Sequence, residues 1–169
     1  DKILAAAGFD PSVDVYVSNV VKRRPPNNRD PTSKELDFYK PWLLEEIRLV
    51  DPWIVLCTGR HSMRTLLDER QGITKVRGQW YEIDGRLYMP VFHPAYLLRN
   101  PSREAGKPKS LTWVDFQNIR AKFEELRHIQ IQKGGVVAED SNGKFANEGS
   151  GNEEEEWIEM DCPCSDFDS

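Results

Sequence analysis

Hydrophobic and polar residues change their spacing several times along this chain, and each change marks an element. Residues 13–21 alternate, with Val13, Val15 and Val17 separated by Asp14 and Tyr16, which predicts a strand over Val13–Val21. Pro25 and Pro26 follow in a run of Asn and Arg and bar both helix and ladder, so that run is a loop. Thr32-Ser33-Lys34-Glu35 has the form of a capping box. The helix it opens carries Leu36, Tyr39, Leu43, Ile47 and Val50 on one face, and Pro41 predicts a kink or a restart within it. Trp53-Ile54-Val55-Leu56-Cys57 is continuously apolar, the pattern of a strand buried on both faces. Gly59 then turns the chain into a helix ending near Leu67. Asp84-Gly85, between Gln79–Ile83 and Arg86–Met89, is a two-residue hairpin signal. Met89-Pro90-Val91-Phe92 leads into His93, and the spacing of Trp113, Phe116, Ile119, Phe123 and Leu126 predicts a last helix over Leu111–Ile131.

Helices alternating with strands imply an α/β fold: a three-layer α/β/α sandwich around a central, mostly parallel sheet. Ligand residues in such sheets collect in loops beyond the carboxyl ends of strands, where Asn19 and His93 both fall on this reading. A length of 169 residues suits one domain with an appendage. Residues 1–133 form the domain. Over 134–169 the composition shifts to Gly, Ser, Asn and Glu, an acidic tail that cannot bury a core and is expected to be disordered. The opening residues, Asp1 to Gly8, read as the middle of an amphipathic helix, so the chain is expected to be a fragment.

The net charge of -5 averages two unlike parts. Residues 134–169 hold eleven acids and one lysine, which leaves 17 acids and 22 bases, a net of +5, for residues 1–133. A mildly basic domain is compatible with nucleic acid binding. No run approaches the ~20 apolar residues of a membrane span, and a monomer without membrane contact is expected. Three cysteines are too few for a disulfide scaffold. Cys57 reads as a core residue, while Cys162-Pro163-Cys164 has no nearby Cys or His partner, so a reducing, cytoplasmic compartment fits.

Two blocks carry the chemistry: Asn19-Val20-Val21-Lys22-Arg23-Arg24-Pro25-Pro26-Asn27-Asn28-Arg29-Asp30-Pro31 and His93-Pro94-Ala95-Tyr96-Leu97-Leu98-Arg99-Asn100-Pro101. Each sets a polar residue directly after an apolar run and follows it with cationic, Pro-rich chain. That arrangement suits a pocket for a small planar polar ligand beside a phosphate backbone. Both blocks, in order and spacing, resemble the uracil-DNA glycosylase superfamily, specifically its bacterial and archaeal family 4, and the resemblance covers roughly residues 1–126.

The resemblance implies excision of uracil from DNA by hydrolysis of the N-glycosidic bond, leaving an abasic site. Asn19 would then read the base, since one amide offers the donor and acceptor that match uracil O4 and N3–H, and cytosine presents the reverse. An Asx-type turn is the bland reading of the same residue. His93 would stabilise negative charge developing on uracil O2. Leu97, Leu98 and Arg99 would hold the gap left by the flipped nucleotide, although one leucine also suits core packing. Lys22, Arg23, Arg24 and Arg29 would contact phosphates, and Lys75, Arg77 and Arg103 extend that patch on weaker grounds.

The chain departs from the family in two respects. The family's Gly-Glu-Ala-Pro-Gly motif, whose acidic residues serve the attacking water, has no match here, so a catalytically incomplete module that binds DNA or a repair partner is the alternative function. Family relatives also hold a [4Fe-4S] cluster, and its two matching ligand positions here are Arg23 and Tyr39, which are not thiolates. No cofactor is therefore expected. The acidic tail, finally, suits either competition with phosphate for the basic surface or recruitment of a basic protein partner.

Overall fold

The computed structural model describes residues 2–134. The expectations for the acidic tail and for Cys162 and Cys164 lie outside the described residues. The elements are α1 (Lys2–Ala6), a 3-10 turn (Pro26–Asn28), α2 (Ser33–Val50), β1 (Ile54–Thr58), α3 (Arg60–Leu67), α4 (Ile73–Val76), β2 (Tyr81–Ile83), β3 (Arg86–Val91), α5 (Pro94–Arg99) and α6 (Pro108–Gly134). The compact unit that carries the candidate residues spans Asp1–Leu126. No helix among the described residues is long and apolar enough to cross a membrane.

Three strands form one sheet in the order β1-β3-β2. β1 and β3 run parallel, from Ile54↔Leu87 to Thr58↔Val91, as a strand–helix–strand order requires. β2 and β3 run antiparallel across the Asp84–Gly85 turn, where φ is 51° and 75°. Positive φ at both central residues is what a two-residue hairpin of this hand needs, and Asp-Gly supplies it cheaply. Pro90 sits in the central strand without an N–H to give. It lies beyond Tyr81↔Tyr88, the last pairing with β2, so no ladder bond on that side is broken.

Side chains alternate between two faces. Ile54, Leu56, Met89 and Val91 pack with Ile3, Leu4, Phe9, Phe116, Ile119 and Phe123 of the α1 and α6 side. Val55, Cys57 and Tyr88 pack with Met63, Leu66, Leu67, Ile73 and Val76 of α3 and α4. The result is the expected three-layer α/β/α arrangement, with two of three strands pointing the same way.

Two expectations need correction. Val13–Val21 is not a strand: Val13 and Asp14 close a turn on the Asp10 carbonyl at 3.2 and 2.8 Å, and residues 15–21 run on without a ladder. Alternation provides a strand's faces but not its neighbour, and the sheet of described residues offers none there. In β1, Ile54, Val55 and Leu56 are only half-buried and Thr58 is exposed, because β1 is an edge strand of this sheet. On α2, the capping box forms in full, Tyr39 and Leu43 are buried, Val50 is exposed, and the helix runs through Pro41 without a restart.

Candidate active site

β3 delivers His93 to the site. Phe92 ends the buried run that begins at Tyr88, and His93 follows it as the N-cap of α5, with Pro94 at the first helical position. The His93 side chain does the capping: Nδ1 accepts from the Ala95 N–H at 3.1 Å. That bond needs a lone pair on Nδ1, so the proton of the neutral ring sits on Nε2. The exposed imidazole therefore presents a fixed N–H donor. Gly59 lies against it, and a Cβ at that residue, where φ is +86°, would come within 3.0 Å of the His93 Cβ. The start of α3 and the start of α5 thus meet at a bare backbone.

The basic loop reaches the same place by an ion-pair cluster. Asp30 pairs with Arg60 and, at 3.3 Å, with His61, the two residues that follow Gly59. These contacts hold the Asp30 carboxyl below the usual carboxylate range, the His61 hydrogen bond first and the Arg60 charge next. Arg29, beside it, is committed inward. Its guanidinium donates to both oxygens of Glu35, at 2.7 and 2.9 Å, and Thr32 adds its amide at 2.7 Å and its hydroxyl at 3.1 Å. Glu35 is only 2% exposed. The Arg29 and Thr32 donors outweigh burial and hold its carboxyl at about 2.

Asn19 is exposed on the irregular chain before that loop, and it follows no strand. Its surroundings are nevertheless anchored. Glu46 of α2 accepts from Tyr16 Oη at 2.5 Å and from Ser18 Oγ at 2.7 Å, and it pairs with Lys22, whose Nζ also donates to Ser18 at 2.7 Å. One carboxylate therefore holds the chain on both sides of Asn19. Burial would raise the Glu46 carboxyl, but the Lys22, Tyr16 and Ser18 donors prevail and lower it.

The remaining cations divide. Arg23, Arg24 and Arg99 are exposed. Lys22 is paired with Glu46, and Arg77 is held by buried Asp115 instead of facing a phosphate. The two wedge leucines also differ: Leu98 is 78% exposed, whereas Leu97 is half-buried. Pattern reading placed Gly59 at the start of a helix but missed its contact with His93, and it missed the Asp30–Arg60–His61 cluster and Asp115. Of these, only Gly59 had a local signal, a glycine directly after an apolar strand.

A [4Fe-4S] cluster requires thiolates, and the two positions that the resemblance assigns to it do not supply them. Tyr39 is 7% exposed, burial raises its phenol, and the Arg23 charge lies close enough to oppose that rise. Cys57 stands in β1 with its thiol pushed to about 12 by burial. No group of three or more His, Cys, Asp or Glu side chains among the described residues is placed to hold a metal ion. The side chains present at these positions do not fit the cluster.

The sequence profile of the Uracil DNA glycosylase superfamily matches residues 1–117. The chain belongs to the uracil-DNA glycosylase superfamily. Within it, the chain is 43% identical over 93 residues to a type-4 uracil-DNA glycosylase of Thermotoga maritima, covering 54% of this chain and 48% of that protein. It is 37% identical over 114 residues to the type-4 enzyme of Sulfurisphaera tokodaii, covering 63% and 50%. A DNA polymerase of Bacillus phage SP01 is 42% identical over 98 residues, covering 58% of this chain and 10% of the polymerase. The chain thus spans about half the length of the superfamily glycosylases it matches and a tenth of the polymerase.

Proposed function

We propose that this domain excises uracil from DNA, breaking the N-glycosidic bond and leaving an abasic site. The observation that carries the reading is the hydrogen bond from the Ala95 N–H to His93 Nδ1. With Nδ1 capped by the Ala95 N–H, Nε2–H is a donor already oriented before substrate arrives. A preorganised donor aimed at uracil O2 stabilises the anion that forms as the bond breaks, and removing such a donor costs about 10²–10³-fold in rate. Asn19, held between the Glu46 contacts, reads the O4 and N3–H edge of uracil. Arg23, Arg24 and Arg99 meet phosphates, and exposed Leu98 enters the base stack as the nucleotide leaves it. Lys22 and Arg29 act through the shape of the loop, since Glu46 and Glu35 hold them. We assign to these residues the leaving-group half of the reaction, carried out by a monomer without an iron–sulfur cluster. Cleavage of a uracil-containing single strand, read after alkali, is expected from the native chain and is expected to fall at least about 100-fold in His93→Ala. Equal product from both proteins would overturn the assignment.

A second reading is favoured by the likeness to a tenth of a phage DNA polymerase. There the matching segment is one part of a larger protein, and this domain would supply uracil-directed DNA binding to chemistry done elsewhere. Tight binding of uracil-containing strands with no abasic product would select this reading.

A further inference from the structure

Two glycine amides grip consecutive carbonyls just before His93. Gly78 N–H donates to Pro90 O at 3.0 Å, and Gly59 N–H donates to Val91 O at 2.9 Å. Gly78 has φ +74°, and a Cβ there would lie 2.4 Å from Asp115 Oδ1, so the α6 carboxylate rests on bare backbone. That carboxylate, 1% exposed, is bridged by both sides of one guanidinium: Arg77 Nε donates to Oδ2 at 2.9 Å and Nη2 to Oδ1. Arg77 Nη2 also donates to the Leu111 carbonyl at 2.9 Å. With its fork held at three points, the guanidinium lies over the Phe92 ring, 5.7 Å from the centroid. The Tyr96 ring packs on Phe92 as well, at 5.0 Å. Phe92 is buried and immediately precedes His93.

A buried ion pair says little about stability, because desolvation offsets much of its attraction and an apolar pair of similar volume often does as well. What an apolar pair lacks is direction. A forked, planar guanidinium bound bidentately has a fixed position, and a ring that lies under it is constrained in turn. We propose that Arg77, locked by Asp115, is a positioning residue for His93. It sets the Phe92 ring, and through that residue's backbone it sets the line along which the His93 Nε2–H points. The inference rests on the excision reading for its purpose, while the geometry stands without it. Displacement of a reacting group by about 1 Å is enough to cost about 10²-fold in rate, so a small rotation at Phe92 is felt.

Two variants test this. Arg77→Met with Asp115→Leu replaces the pair by apolar side chains and leaves no buried charge unmatched. Phe92→Leu keeps the pair and removes the ring. Nitrogen NMR of the native chain at pH 8 is expected to show His93 with Nδ1 bare and Nε2 protonated. In either variant, with the fold retained by circular dichroism, a displaced His93 is expected to loosen its bond from the Ala95 N–H, so that the two nitrogens move toward a mixture of tautomers. Single-turnover excision of uracil from a labelled single strand is expected to fall about tenfold or more, with DNA affinity within about twofold. A loss that was merely structural would lower both alike. Native His93 nitrogen signals in folded Phe92→Leu, or in the folded double variant, would overturn the proposal whatever the rate. A native chain that excises no uracil would sink the excision reading, and the nitrogen signals would still decide the clamp.

Discussion

Glu35 takes two bonds from Arg29 and two from Thr32 while almost wholly withdrawn from water. Removing it takes a shared buried acceptor from the Arg29 guanidinium and the Thr32 amide, so Glu35→Ala is expected to cost about 2–4 kcal/mol in a urea melt. The pH dependence comes from its depressed carboxyl. A group held at about 2, below its ordinary 4.5, stabilises the fold above the ordinary value and loses that contribution as pH falls through the window between them. Thermal melts of the native chain should therefore fall faster than those of Glu35→Gln between pH 4.5 and 2. Cys57 offers a second test: its buried thiol, pushed to about 12, should stay unlabelled by maleimide in the native protein and react in urea. At this scale the sequence was a partial guide. Arg29 and Arg77 read as phosphate contacts because their charge was visible and their acceptors were not. Asp115 lies 38 residues from Arg77, and no local pattern announces such a partner.

Local signals described whole elements better. The capping box, the Asp-Gly hairpin and the glycine that opens α3 are each decided within a few residues, and each is found where the sequence placed it. The pairing of Val13–Val21 depended on a neighbouring strand, and the described sheet supplies none. Instead that stretch is tied by side chains to α2, with Glu46 receiving Tyr16, Ser18 and Lys22. An arch held by one carboxylate can be released by one substitution. Glu46→Ala is expected to weaken discrimination between uracil- and cytosine-containing strands by about tenfold in competition binding, because a free Asn19 samples amide orientations that suit both bases. Its melting temperature should change little, since these are mostly exposed bonds.

For the whole molecule, net charge conceals the working surface. Residues 1–133 are net basic, and exposed cations stand on the loop after Asn19, at Arg23 and Arg24, and at the end of α5, at Arg99. Arg23→Ala and Arg24→Ala should each reduce the salt slope of single-strand binding by about 0.7, as one fewer phosphate is neutralised. An iron chelator should leave the melting temperature unchanged, because Arg23 and Tyr39, at the positions the resemblance assigns to the cluster, carry no thiol. The layered fold was legible because burial alternates along short strands, whereas the convergence of the basic loop, α3 and His93 depends on contacts that only folding creates. The hairpin tip has a practical use that strand geometry makes plain. Six residues of β3 separate Gly85 from the strand's other end, a span of ~20 Å. A Cβ on Gly85 would meet no atom within 4 Å. A tether grafted at that tip would anchor the domain to a sensor surface by the end remote from His93, leaving the imidazole free to sample passing strands.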